Sequence, residues 1–263
     1  MSLLISTSAL AQQPVIPGAA GFGMNTPAGR GGEIYRVTNL NDSGKGSLRE
    51  CAEASGSRVC VFEVSGMIRL KSDVVISNPK ITIAGQTAPA PGILVRDNAL
   101  KIRASDVLVQ HIELRVGSEP VGTDLDLKQP LKISGVDPIR NVVIDHCSIS
   151  WAVDENISTF ETWDNITISN SIISEPLRAA GSSSGSHGYS ALINNGGRES
   201  KIAFIGNIFA HGHSRNPRTS ASSFVFVNNV VYNPGNAAVM LYNSDGIPSN
   251  NSIVGNVFID GRD

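Results

Sequence analysis

The feature that most limits what this chain can fold into is a repeat of short β-branched runs with almost no helical periodicity between them. From about residue 60 onward, ITIAGQTA, VLVQHIEL, VVIDHCSIS, ITISNSIIS, IAFIGNIFA, FVFVNNVVY and SIVGNVFID each set alternating apolar residues around one polar residue. Aligning that polar residue gives Gln86, His111, His146, Asn170, Asn207, Asn229 and Asn256. The successive gaps are 25, 35, 24, 37, 22 and 27 residues, which is a short period broken by two insertions. Such a period, made of strands without helices, predicts an all-β solenoid: a parallel β-helix whose stacked coils share one apolar interior. An Asn at one place in successive coils predicts a ladder of side-chain amides. A β-sandwich also repeats strands, but at spacings of roughly 8 to 12 residues.

A chain of 263 residues that is 41% hydrophobic can bury a large core. Its net charge of −2 and 5% aromatic content exclude the basic, ring-bearing face of a nucleic-acid binder. No run approaches the roughly 18 apolar residues of a membrane span. MSLLISTSALAQQ resembles the end of a secretory signal, although it lacks a basic start. Residues 1–16 are therefore expected to be a signal remnant or a disordered tail, residues 17–263 one β-helix domain, and the protein secreted. Cys51 and Cys60 are close enough in sequence to close a short loop, and both the bridged and the free state stay open. Cys147, in an apolar strand pattern, is expected to be buried. Ser47-Leu48-Arg49-Glu50 is a capping-box pattern that predicts a short helix through about Ala54, placed to plug the N-terminal end of the solenoid. The sequence stops at NVFIDGRD directly after a repeat, so a truncated end or a covering partner is expected there.

The two long gaps mark protruding loops. One carries Glu119, Asp124 and Asp126, and the other is the Gly/Ser-rich SEPLRAAGSSSGSHGYS. The eighth residue after each aligned polar position is Glu119, Asp154, Arg178, Arg215 and Ala237. Coils spaced about 4.8 Å apart would put Asp154 about 10 Å from Arg215 with Arg178 between them. The carboxylates of Asp154, Glu155 and the Asp124/Asp126 loop form a donor set for a hard cation such as Ca²⁺. Arginines beside such an ion would take the carboxylates of an acidic polymer, which points to a uronic-acid polysaccharide as partner.

PGAAGFG, GRGG, NLNDSGKGSLRE, ITIAGQTAP, VVIDHCSISWAVDEN and HSRNPR, in that order between Pro17 and Asn256, resemble the pectate lyases of the first polysaccharide lyase family. The resemblance implies a right-handed parallel β-helix that cleaves polygalacturonate by β-elimination, with Ca²⁺ bridging enzyme and substrate carboxylates. It implies Arg215 as the catalytic arginine, the first of the R-x-P-R motif, and Arg218 as the second. It implies Asp154 as a metal ligand; Glu155 is the candidate substitute for a second acid, and Asp124 or Asp126 the candidate for a third from the loop. Arg178 and His187 stand in for a substrate-binding lysine. The sequence departs from the family pattern at Ser158 and Gln129, where acids are usual, and at Ser220, where a basic residue is usual.

Other polar residues have quieter readings. Asp145 and His146 read as a hydrogen-bonded pair in a strand. His211 and His213 lack a third zinc ligand at suitable spacing, and Trp151 suits a cleft wall as well as a sugar platform. A hydrolase would need two carboxylic acids flanking the glycosidic oxygen, and the arginine motif supplies none. A non-catalytic polysaccharide-binding β-helix is the remaining alternative, and a monomer is expected.

Overall fold

The computed structural model describes residues 13–119, 124–183, 185–194, 199–243, 246 and 248–261. All its strand pairs are parallel, as a chain that rises one coil at a time requires. One sheet has 14 strands and the other has eight. Two 15-residue strands, Leu131–Asp145 and Glu155–Ser169, bend from one face of the solenoid to the next and join two faces into the larger sheet. Leu131 thus pairs with Leu100, whereas Val142, further along the same strand, pairs with Val107. The result is a right-handed parallel β-helix, the hand that parallel crossovers take almost without exception.

The period-2 pattern explains why each run is a strand. In Arg58–Phe62 and Ser223–Val227 every second residue is buried and its neighbours are less so. The inward residues form one continuous cluster from Val37 to Val231. Near its C-terminal part Phe204, Phe209, Phe224 and Phe226 interlock with ring centres 5.6–6.4 Å apart. Burying each such side chain contributes roughly 1.5–3 kcal/mol.

The predicted helix spans Leu48–Glu53 and packs on the strands Glu33–Val37, Arg58–Phe62 and Val74–Ile76. Ser47 Oγ accepts from the Glu50 amide at 3.2 Å, and Glu50 answers by accepting from the Gly46 amide at 2.5 Å. Leu48, Cys51 and Ala52 are buried, so the helix covers the first coils. Cys51 and Cys60 are joined as a disulfide. Burial pushes the remaining thiol, Cys147, up to about 12.

The amide ladder stands at the aligned Asn207, Asn229 and Asn256, whereas the aligned His111, His146 and Asn170 lie one residue before it. Asn229 Oδ1 accepts from the Asn207 amide N–H at 2.9 Å and from its Nδ2 at 3.0 Å. Asn256 does the same for Asn229, at 2.8 and 3.0 Å. In the coils before them, Ser171 and Cys147 hold this inward place. His111, His146, Asn170, Gly206, Asn228 and Gly255 form a separate corner column with φ between 49° and 68°. Asn and Gly both tolerate that left-handed conformation, so alternation alone cannot separate the corner from the ladder.

Residues 1–12, the greater part of the proposed signal remnant, lie outside the described residues. Val15 donates its amide to Met24 O at 2.8 Å, and with Ile16 it packs near Leu108 and Val143. Among the described residues contact with the rest of the chain begins at Gln13, whose carbonyl accepts from Arg30 at 3.3 Å. At the other end, the strands Asn250–Val254 and Val257–Ile259 leave Ile253, Val254, Val257, Phe258 and Ile259 exposed.

Candidate active site

The site lies where the strand Glu155–Ser169 runs beside Tyr189–Ile193, with Glu155 in register with Tyr189. One coil further, Ser214 bridges Tyr189 and Arg215 follows it. Arg215 adopts φ 56°, which costs a residue with a Cβ roughly 1–2 kcal/mol. Its guanidinium carbon sits 3.9 Å from the centre of the Tyr189 ring, and its Nη1 pairs with Glu155 Oε1. Arg215 thereby spans one coil to reach an acid on the next. The Arg215 side chain is 21% exposed and that of Glu155 only 2%, so the pair has one face to the cleft and one to the wall.

Gln129 ties the acids together. Its Nε2 donates to Asp154 Oδ2 at 2.5 Å and to Glu155 Oε2 at 2.8 Å, while its Oε1 accepts from Ser158 Oγ at 2.6 Å. Burial, and then the adjacent Asp154 carboxylate, push the Glu155 carboxyl up to about 8, against the opposing pull of Arg215 and Gln129. His187 approaches Asp154 Oδ1 at 3.6 Å and meets the Tyr189 ring edge-on, with centres 5.1 Å apart. Asp154, His187, Tyr189 and Arg215 therefore line the cleft as a connected series.

The other expected residues are placed differently. Arg178 lies on the coil between those of Asp154 and Arg215 and lines a pocket with Pro176, Gly188, His211, His213 and Asn233. The column read from sequence breaks at Arg215, which stands nine residues beyond its corner residue, Gly206, while Asp154 and Arg178 stand eight beyond His146 and Asn170. Asp124 caps a turn by accepting from the Asp126 amide at 3.2 Å. Asp126 accepts from the Ser183 amide at 2.8 Å and from the Ser183 hydroxyl, and bonds to Ser182 and Ser183 hold its carboxyl below the usual range. The Asp124/Asp126 loop thus joins the Ser-rich loop rather than the acid pair. Arg218 lies over Tyr242, 4.5 Å from the ring centre, and lines a cavity of about 160 Å³ with Leu192, Asn194 and Ser220. Asp145 and His146 are a structural pair at 2.7 Å, with Asp145 also accepting from Ser169 and Asn170. His211 bonds Asn233 at 3.1 Å.

A Ca²⁺ ion needs six to eight oxygens at roughly 2.3–2.6 Å. Here the space between the two acids receives N–H groups: the Gln129 amide faces both carboxylates and the Arg215 guanidinium takes Glu155 from the other side. The Gln129 oxygen is turned away to Ser158. Among the described residues no group of three or more His, Cys, Asp or Glu side chains is arranged to hold a metal. The residues present do not fit Ca²⁺ at this position.

No family model matches the chain. It is 37% identical over 265 residues to "Probable pectate lyase C" of Aspergillus flavus, covering 100% of this chain and 58% of that relative. The protein of the same name in Aspergillus terreus is 39% identical over 251 residues, or 93% of this chain and 54% of the relative. The chain is homologous to the pectate lyases. It spans little more than half the length of these pectate lyase relatives. The crystal structure of Jun a 1, the major allergen from cedar pollen, shares the fold with a TM-score of 0.68 at 20% identity, covering 92% of this chain and 82% of that one.

Beside these pectate lyase relatives, two contributors to the site were not singled out from sequence. Tyr189, the platform under Arg215, is the first residue of a short strand and carries no motif. Gln129 was legible only as a departure from the family pattern, and its role as a tie between two acids depends on the pairing of Leu131 with Ile157 that brings the strands together.

Proposed function

We propose that this chain is a lyase that cuts a uronic-acid polymer of the polygalacturonate type by β-elimination, and that it acts outside the cell that makes it. The observation that carries this reading is Arg215, presented to the cleft on an aromatic platform in a chain homologous to pectate lyases. In the reaction, the proton on the carbon next to the uronate carboxylate passes to a base. The freed electron pair forms a double bond to the neighbouring carbon, whose bond to the glycosidic oxygen breaks, and that oxygen takes up a proton. Arg215 is the base in this reading. A guanidinium is a poor base at neutral pH, and Glu155 pairs with it here, so the base must part from Glu155 and turnover must rise with pH. In this reading Arg218, on the short strand that follows Arg215, takes a carboxylate of the polymer.

The family resemblance implies Ca²⁺ as a Lewis acid on the substrate carboxylate. Because the donor set does not fit it, no step here passes through a metal. Hydrolysis is disfavoured because both acids of this cleft are committed, to one Gln129 amide and, for Glu155, to Arg215, so that neither is free to flank a glycosidic oxygen.

Arg215→Lys tests the assignment, because lysine keeps the charge and loses the reach. Turnover on polygalacturonate is expected to fall at least about 10²-fold with KM little changed, the size of losing a positioned general base. A loss confined to KM would make Arg215 a substrate clamp and put the base elsewhere.

A further inference from the structure

The disagreement between donor set and metal has a consequence for this chain alone. We infer that the Gln129 amide takes the place of a cation between Asp154 and Glu155, so that this cleft does not bind Ca²⁺ and meets its acidic polymer through Arg215 and Arg218. The inference rests on the lyase reading for its substrate, but its metal half stands on geometry.

Gln129 is buried, and both of its Nε2 hydrogens are spent on carboxylates of the same cleft, at 2.5 and 2.8 Å. Two adjacent acids in a poorly solvated wall repel one another unless something positive or proton-bearing lies between them. A divalent ion is one solution, and an amide donor together with a guanidinium on the outer oxygen is another. The second is built here from three parts that fit one another. Ser158 fixes the amide by donating to its oxygen at 2.6 Å, which selects the orientation that presents N–H to the acids. Arg215 takes the second Glu155 oxygen. Tyr189 holds the guanidinium from beneath. Turning the amide over would offer a cation only one more oxygen, and that cation would then lie against the Arg215 charge.

The test is calorimetric titration of the full chain with CaCl₂ alone, after chelator treatment, together with thermal unfolding with and without Ca²⁺. The unmodified protein should give no saturable heat and no shift in melting temperature up to about 1 mM Ca²⁺, the weak end of extracellular Ca²⁺ sites. Gln129→Glu replaces the two N–H donors with oxygen and should create a saturable site whose occupancy raises the melting temperature. Ser158→Asp is the second variant, adding an acid from the other side should Gln129→Glu fold poorly. Saturable one-site binding by the unmodified protein, abolished by Asp154→Asn, would overturn the inference. Polygalacturonate cleavage assayed in excess chelator separates this from the lyase reading. Cleavage without Ca²⁺ supports both, and no cleavage in either chelator or Ca²⁺ defeats the lyase reading while leaving the calorimetry to decide the metal.

Discussion

The guanidinium carbon of Arg215 lies 3.9 Å from the centre of the Tyr189 ring, and Tyr189 in turn is in register with Glu155, the acid that Arg215 pairs with. The tyrosine therefore fixes the height and direction of the arginine that the proposed chemistry depends on.

Tyr189→Leu keeps an apolar strand residue and removes the π face. A partly exposed cation–π contact is worth roughly 0.5–2 kcal/mol, so turnover should fall about 10-fold while the melting temperature changes little. Steady-state kinetics with a melting curve checks this; unchanged turnover would mean that Glu155 alone positions Arg215.

The amide ladder should be worth more than its surface neighbours. Asn229 is fully buried and bonds Asn207, Asn256 and the Phe204 carbonyl. Asn229→Ala leaves several of these groups unpaired at roughly 1–3 kcal/mol each, so a loss of about 3 kcal/mol or more is expected in denaturant unfolding. Asn228→Gly, at the left-handed corner one residue earlier, should lie within about 0.5 kcal/mol of the parent, since glycine accepts that φ without strain.

That one-residue contrast also marks how far the sequence could be read. The repeat made the solenoid legible, because runs such as FVFVNNVVY tolerate no other periodicity, and the Ser47–Glu50 pattern located the helix. The register of the site was not legible. Gly206 and Asn207 both suit a corner, and choosing Asn207 moved Arg215 by one place relative to Asp154. Arg178 precedes the Ser-rich insertion and lines a pocket with His211 and His213, neighbours that coil spacing alone does not give. Gln129 could be seen as an absent acid, but its bonds to two others depend on the folded strands.

Acid should destabilise the fold partly through Asp145. Burial opposes its charge, but bonds from His146, Asn170, Ser169 and Gln110 outweigh this and lower its pKa in the folded state. A lowered folded pKa contributes stability that is complete above the unfolded value of about 3.9 and is lost as pH falls through the folded value. Melting temperature should therefore fall below about pH 4. Asp145→Asn should melt lower at neutral pH and show a shallower fall in acid; an unchanged acid slope would assign that loss to other carboxyls.

The most direct test of the central claim is mass spectrometry of polygalacturonate fragments produced in ¹⁸O-labelled water. Elimination breaks the chain without adding water, so the account predicts fragments whose masses sum to the parent, each new non-reducing end carrying a double bond, and no ¹⁸O introduced by the cleavage step. Fragments that gain one water per cut, with ¹⁸O built into saturated products as cleavage proceeds, would contradict it.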